Sequence, residues 1–189
     1  MIKRAFLVHG WEGYPNEGWR PWLRKKLEER GFRVYVPAMP NTSRPKMNFW
    51  VSFLDKLVGL PDGQTYLVGH SLGAIAILRY LESLKENNKV GGAIFVAGFG
   101  KDLDYKGYKG ELKSFFSKPI SWSEIKKHCR KFISIHSDND RWVSLQNSEL
   151  FKNKLSAKTI IAHNMKHFSG DDGINELPLL LEEILKISQ

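Results

Sequence analysis

Short apolar runs alternate with segments of helical periodicity along the whole chain, and that alternation restricts it to a sheet covered by helices. Ala5-Phe6-Leu7-Val8 reads as a buried strand ending at His9-Gly10. Trp19, Trp22, Leu23 and Leu27 recur at helical spacing as far as Arg30, and Gly31 stops that helix. Phe32 to Val36 is a second strand closed by Pro37, and Pro40 and Pro45 make the following stretch from Ala38 a loop. A helix from Met47 to Val58 buries Phe49, Trp50, Phe53, Leu54 and Leu57. Thr65 to Val68 is the third strand, and a helix from Ser71 to Leu84 follows directly.

The same unit recurs in the second half. Gly92 to Ala97 is apolar throughout, as expected of a strand covered on both faces. Lys101 to Pro119 is polar and weakly periodic, so it reads as a loop or small cap. Ser121-Trp122-Ser123-Glu124 fits a capping box, in which the Ser and Glu side chains satisfy free backbone donors at the start of a short helix. Phe132 to His136 and Thr159 to Ala162 are the last strands, with helices from Leu145 to Leu155 and from Leu177 to Ile187. Parallel strands need packed crossovers, so a mostly parallel sheet with helices on both faces is expected. Its ligand site should lie beyond the carboxyl ends of the strands.

Composition bounds the remaining choices. With 189 residues and 42% hydrophobic content, one core and a single domain over 1–189 are expected, and no Pro-rich or Gly/Ser-rich spacer divides the chain. Apolar runs such as Gly91 to Gly98 fall far below the roughly 18 residues of a membrane span. The start, Met1-Ile2-Lys3-Arg4, lacks a signal peptide's apolar stretch. A single cysteine, Cys129, forms no internal disulfide, which fits a reducing compartment, and a cytoplasmic location is expected. The net charge of +9 invites a nucleic-acid reading, but the basic residues alternate with acids, as in Arg24-Lys25-Lys26-Leu27-Glu28-Glu29-Arg30. No nucleic-acid-binding motif accompanies them, so nucleic acid is not an expected partner.

The chemistry gathers at strand ends. Gly69-His70-Ser71-Leu72-Gly73 matches G-x-S-x-G between a strand and a helix, a sharp turn that lifts a serine nucleophile clear of the sheet. A base is needed, and the strand Thr159 to Ala162 leads into two candidates, His163 and His167. His167 is favoured because it lies on the loop proper; His9, His70, His128 and His136 compete less well. The orienting acid should come before the histidine in the chain, and Asp138 and Asp140 both follow the strand Phe132 to His136. His9-Gly10-Trp11-Glu12-Gly13 after the first strand suits an oxyanion loop, so the backbone N–H groups of Trp11 and Leu72 are the candidate donors. Trp11, Tyr14, Trp19, Trp22 and Trp142 are candidates for an apolar acyl pocket, with core packing the commoner role for such residues.

On these motifs the chain resembles the small single-domain serine hydrolases of the α/β-hydrolase superfamily related to retinoblastoma-binding protein nine and its bacterial relatives. The resemblance rests on His9-Gly10-Trp11, Trp19-Arg20-Pro21-Trp22-Leu23, Val36-Pro37-Ala38-Met39-Pro40 and Gly69-His70-Ser71-Leu72-Gly73. Asp138-Asn139-Asp140-Arg141-Trp142-Val143, His167-Phe168, Asp172-Gly173 and Leu177-Pro178 extend it over nearly the whole length. It implies an α/β-hydrolase fold, a compact three-layer sandwich of about six strands in order 2-1-3-4-5-6, with little or no lid. The family's D-x-x-V-P pattern aligns its aspartate with Asp140, although Ser144 stands where the pattern has proline, and its His-Phe pair aligns with His167-Phe168. The resemblance thus implies a Ser71–His167–Asp140 triad that cleaves a small-molecule ester or related acyl substrate, with no cofactor and no metal. The alternative expectation is a protein-binding scaffold, with a protein partner and a vestigial or secondary triad.

Overall fold

A computed structural model describes residues 2–101, 103 and 110–189. The elements run β1 (Arg4–Val8), α1 (Arg20–Glu28), β2 (Arg33–Tyr35), α2 (Met47–Val58), β3 (Thr65–His70), α3 (Leu72–Ser83) and β4 (Gly92–Val96). A 3-10 turn (Lys113–Phe116), α4 (Trp122–His128), β5 (Phe132–Ser137), α5 (Gln146–Leu155), β6 (Lys158–Ala162) and α6 (Pro178–Ile187) complete the chain. The six strands form one sheet in the order β2-β1-β3-β4-β5-β6, with every neighbouring pair parallel. This is the order that the resemblance implies.

Alternation along each strand builds the two cores. Phe6, Val8, Leu67, Phe95 and Phe132 face the layer of α2, α3, α4 and α5. Ala5, Leu7, Val68, Ile94, Val96 and Ile135 face α1 and α6 on the other side. Central strands β3 and β4 are buried at every residue, which explains their unbroken apolar sequence, while the edge strand β6 is largely half-buried or exposed. Strand β3 runs two residues past the apolar stretch, because Gly69 and His70 still pair with Phe95 and Val96 of β4. Among the described residues no helix is long and apolar enough to cross a membrane.

Helix α3 lies at the centre of its layer, with Leu72 to Leu81 all buried. That run includes Arg79, whose guanidinium donates to the Phe115 carbonyl from both Nε (2.9 Å) and Nη2 (2.7 Å). It also reaches the carbonyls of Lys118 (2.5 Å) and Pro119 (3.2 Å) and the Glu82 carboxylate (2.8 Å). Glu82 in turn accepts the Ser121 N–H at 2.7 Å. Burial opposes charge on Glu82, but these hydrogen bonds prevail and hold its pKa below the usual glutamate value.

The expected capping box is therefore absent. The Ser121 side chain caps nothing and its N–H is committed to Glu82, while Glu124 turns to Lys127 at 2.8 Å. A buried carboxylate needs a donor more than the helix end needs a reciprocal cap. The stretch expected to be loop or cap holds the 3-10 turn, with Phe115 fully buried; residues 102 and 104–109 of it lie outside the described residues.

Candidate active site

Ser71 sits between β3 and α3 with φ 52° and ψ −118°, a backbone conformation unfavourable for any residue with a side chain. The chain is forced into it by close approach. A Cβ on Gly69 would lie 2.6 Å from the Ala74 nitrogen, and one on Gly73 would lie 2.3 Å from the Val8 carbonyl oxygen. Both glycines of G-x-S-x-G are thus steric requirements of strand–helix contact. The Ser71 N–H donates to Val96 O (2.9 Å) and its carbonyl accepts from Ala74 (3.0 Å), which fixes the turn. Leu72 opens α3, so its N–H has no acceptor within the helix.

Because β1 pairs with β3, Val8 opposite Gly69, the loop after β1 passes beside Ser71. A Cβ on Gly10 would come within 3.1 Å of Ser71 Cβ. His9 anchors this loop. Its Nε2 accepts the Met39 N–H (3.0 Å), so Nδ1 carries the proton and donates to Gly10 O (2.9 Å). Burial depresses its pKa, in keeping with a neutral ring. Two further ties, Trp11 Nε1 to Ser43 O (3.3 Å) and Glu12 N to Thr42 O (3.1 Å), fasten the loop to the segment after β2. Trp11 and Ser71 line the same cavity; the structural work of His9 was not expected.

The two histidines and two aspartates left as alternatives by the sequence form separate pairs. His167 Nδ1 donates to Asp140 Oδ2 at 2.8 Å, with the side chains 13% and 2% exposed. His163 Nδ1 pairs with Asp138 Oδ2 at 2.6 Å on the surface, with His163 83% exposed. Register explains the doubling: Ser137 of β5 lies opposite Ala162 of β6, so the two loops leave the sheet side by side. Asp140 Oδ1 also accepts the N–H groups of Trp142 (2.8 Å) and Val143 (3.0 Å), which points the second oxygen at His167.

The histidine loop is laced along its length. The N–H groups of Asn164, Met165 and Lys166 donate to Asp138 Oδ1 (2.9 Å), Ser137 Oγ (2.9 Å) and Asn139 Oδ1 (2.8 Å). The His167 N–H goes to Asp172 Oδ2 (3.0 Å), which also takes the Ser169 hydroxyl (2.8 Å). Burial disfavours charge on Asp172, yet these hydrogen bonds keep its pKa below the ordinary aspartate value. The ties hold Asn164, Lys166 and Phe168 at positive φ, where side chains are normally disfavoured. Asp138 therefore shapes the loop without touching His167.

Ser71 and His167 line one cavity of about 470 Å³. Its lining joins the apolar Trp11, Leu72, Phe99, Leu103, Leu112 and Trp142 with the charged Glu12, Glu17, Arg141 and Asp171, Arg141 lying over the Trp142 ring at 4.9 Å. Of the five aromatic candidates, Trp11, Tyr14 and Trp142 line this cavity. Trp19 is core, with Nε1 donating to Phe168 O at 3.0 Å, and Trp22 packs partly buried in the same layer. His128 and His136 are also structural. His128 Nδ1 donates to Asn88 O (2.7 Å), and burial drives the His136 pKa down to about 4.

The sheet order and the strand–serine–helix turn define an α/β hydrolase. Comparison with known proteins carries this further: the chain belongs to the serine hydrolase family, whose sequence model matches residues 5–185. It is 30% identical over 182 residues to the putative hydrolase YdeN of Bacillus subtilis, covering 96% of this chain and 94% of that protein. It is equally 30% identical over 186 residues to the rat serine hydrolase RBBP9, covering 96% and 95%. The crystal structure of the B. subtilis ydeN product superposes with a TM-score of 0.92 at 29% identity over 98% of both chains. An esterase from Exiguobacterium antarcticum shares the fold, with a TM-score of 0.68 at 13% identity over 99% and 92%.

Proposed function

We propose that this serine hydrolase cleaves a small ester or related acyl substrate through an acyl-enzyme on Ser71. The observation that carries the reading is the 2.8 Å Asp140–His167 hydrogen bond beside the cavity that Ser71 also lines. With the proton held on Nδ1 by Asp140, Nε2 of His167 is the basic nitrogen. It takes the Ser71 proton as Oγ attacks the acyl carbonyl, and gives that proton to the leaving alcohol as the tetrahedral intermediate collapses. Water, deprotonated by the same nitrogen, then attacks the acyl carbon and returns Ser71. Backbone N–H groups of Trp11 and Leu72 are the oxyanion donors in this scheme, each worth roughly 3–4 kcal/mol in enzymes of known mechanism.

The apolar residues of the lining suit the acyl chain, and its charged residues keep the cavity polar enough for a leaving alcohol. The single Cys129 has no partner for an internal disulfide, which fits a reducing cytoplasm. Labelling by a fluorophosphonate tests the mechanism. Wild type is expected to label and to hydrolyse short p-nitrophenyl esters, and Ser71→Ala and His167→Ala to do neither. Folded wild-type protein that neither labels nor turns over any ester would sink the proposal in favour of a binding scaffold.

A further inference from the structure

The variable residue of the serine turn, His70, is 4% exposed, and its ring reaches across to the histidine loop. Its Nε2 lies 2.7 Å from the carbonyl oxygen of His167. A carbonyl only accepts, so Nε2 carries the proton and the neutral ring is the donor. The ring stands edge-on to Trp19, with centroids 6.1 Å apart, and its centroid lies 5.0 Å from that of the His167 imidazole. Burial, and after it the neighbouring His167, keep the His70 pKa well below that of an ordinary histidine, so the donor persists through the neutral range.

His167 is thereby gripped at three points: the imidazole by Asp140, the N–H by Asp172 and the carbonyl by His70. Only the last grip comes from the residue bonded to Ser71. We propose that His70 is a positioning residue that sets the distance between the serine nucleophile and its base, by joining the serine turn to the backbone of His167. The inference rests on the triad reading above.

The geometry gives the mechanism. Ser71 is held in its strained turn by the Val96 carbonyl and the Ala74 N–H, whereas residue 167 lies between Lys166 (φ 48°) and Phe168 (φ 56°), a backbone that relaxes unless it is held. Without its donor, the His167 carbonyl must turn toward another partner, and the imidazole moves with the peptide. A misplacement of about 1 Å in such a pair costs on the order of 100-fold in rate. His70 also lines the cavity, so a change in KM alone would report fit and overturn the positioning role, whereas loss of the tie belongs in kcat.

The test compares His70→Leu, His70→Asn and His70→Gln with wild type. The amide nitrogen of Gln reaches the place of Nε2, while that of Asn falls short. We expect Leu and Asn to lower kcat on p-nitrophenyl acetate and the rate of fluorophosphonate labelling by roughly 10- to 100-fold, with KM nearly unchanged. Gln should recover most of that loss, and thermal melts identify the folded variants. Folded Leu or Asn variants with wild-type kcat, or a Gln variant as slow as Leu, would overturn the positioning role while the triad stands. If Leu fails to fold, the Asn–Gln contrast decides alone. An unlabelled wild type would remove the triad reading and this inference with it.

Discussion

Arg79 is the buried charge on which one wall of the cavity depends, and its loss can be costed from its surroundings. In Arg79→Leu the guanidinium leaves behind three carbonyl groups and the Glu82 carboxylate. Lys118 and Pro119 are exposed, so their carbonyls turn to water, but Phe115 is fully buried and Glu82 has only 8% of its side chain exposed. Stranding the Phe115 carbonyl costs about 1–3 kcal/mol. Glu82 keeps the Ser121 N–H at 2.7 Å and Lys118 at 3.6 Å, so losing the guanidinium weakens its pairing without stranding it, and the total is about 2–4 kcal/mol. By contrast the Arg24–Glu28 pair, about half exposed on α1, contributes only a few tenths of a kcal/mol.

Urea unfolding at neutral pH is the assay. With m near 2 kcal/mol per molar for a small domain, the midpoint of Arg79→Leu should fall by roughly 1–2 M at unchanged slope. Arg79→Lys keeps the charge without the planar fork and should recover only part of the loss. The same segment carries Leu112 into the cavity, so KM for bulky acyl esters should also rise. A loss below about 1 kcal/mol in Arg79→Leu would refute the reasoning, because a stranded buried carbonyl beside a weakened carboxylate cannot be that cheap.

Asp140→Asn should lower kcat by a factor on the order of 10⁴, as loss of the orienting acid does in serine hydrolases, whereas Asp138→Asn should stay within about tenfold of wild type. A larger loss in Asp138→Asn than in Asp140→Asn in an ester assay would mean that the exposed pair is the working one. Stability should depend on pH through His70 and His136, whose folded pKa values lie below the ordinary 6.5, about 4 for His136. The unfolded chain binds protons first as pH falls, so their contribution is complete above about 6.5 and is lost below it, by about 1.4 kcal/mol per pH unit for each ring. Urea midpoints at pH 8, 6.5 and 5 measure this, and a flat profile between 6.5 and 5 would contradict the burial of both rings as neutral species.

The strands were legible because burial on two faces leaves no room for polar residues, and Thr65 to Val68 and Gly92 to Ala97 carry that signature openly. The serine turn was legible for a steric reason, since its two glycines are demanded by contact. What stayed hidden lies in side chains that bind backbone far away in sequence. His167 was favoured by its place on the loop proper, but nothing local distinguishes Asp138 from Asp140, which only the family pattern aligned with the triad; the pairing depends on which pair the two parallel loops turn toward the cavity. The capping box misled because Ser121 and Glu124 have the right spacing, while Glu82, 39 residues upstream, takes the donor. Arg79 did leave a sign: a lone arginine within Leu72 to Leu81, a helix apolar on every side, has no solvent face to occupy. His9 and His70 were passed over as bases, and the structure gives both of them backbone to hold.

The ties on Asp140 and His167 come from residues 70, 142, 143 and 172, whereas the wall segment beyond Leu112 hangs from α3 through Arg79 and Glu82. The proposed catalytic pair and the Leu112 side of the cavity are thus anchored in separate parts of the molecule, while His70 and Trp142 serve both pair and cavity. Natural selection can rewrite the β4–α4 connection, lengthening it or changing its side chains, without loosening the Asp140–His167 pair. In this architecture substrate range is the trait free to diverge, and the same connection is where a designer would graft a new specificity.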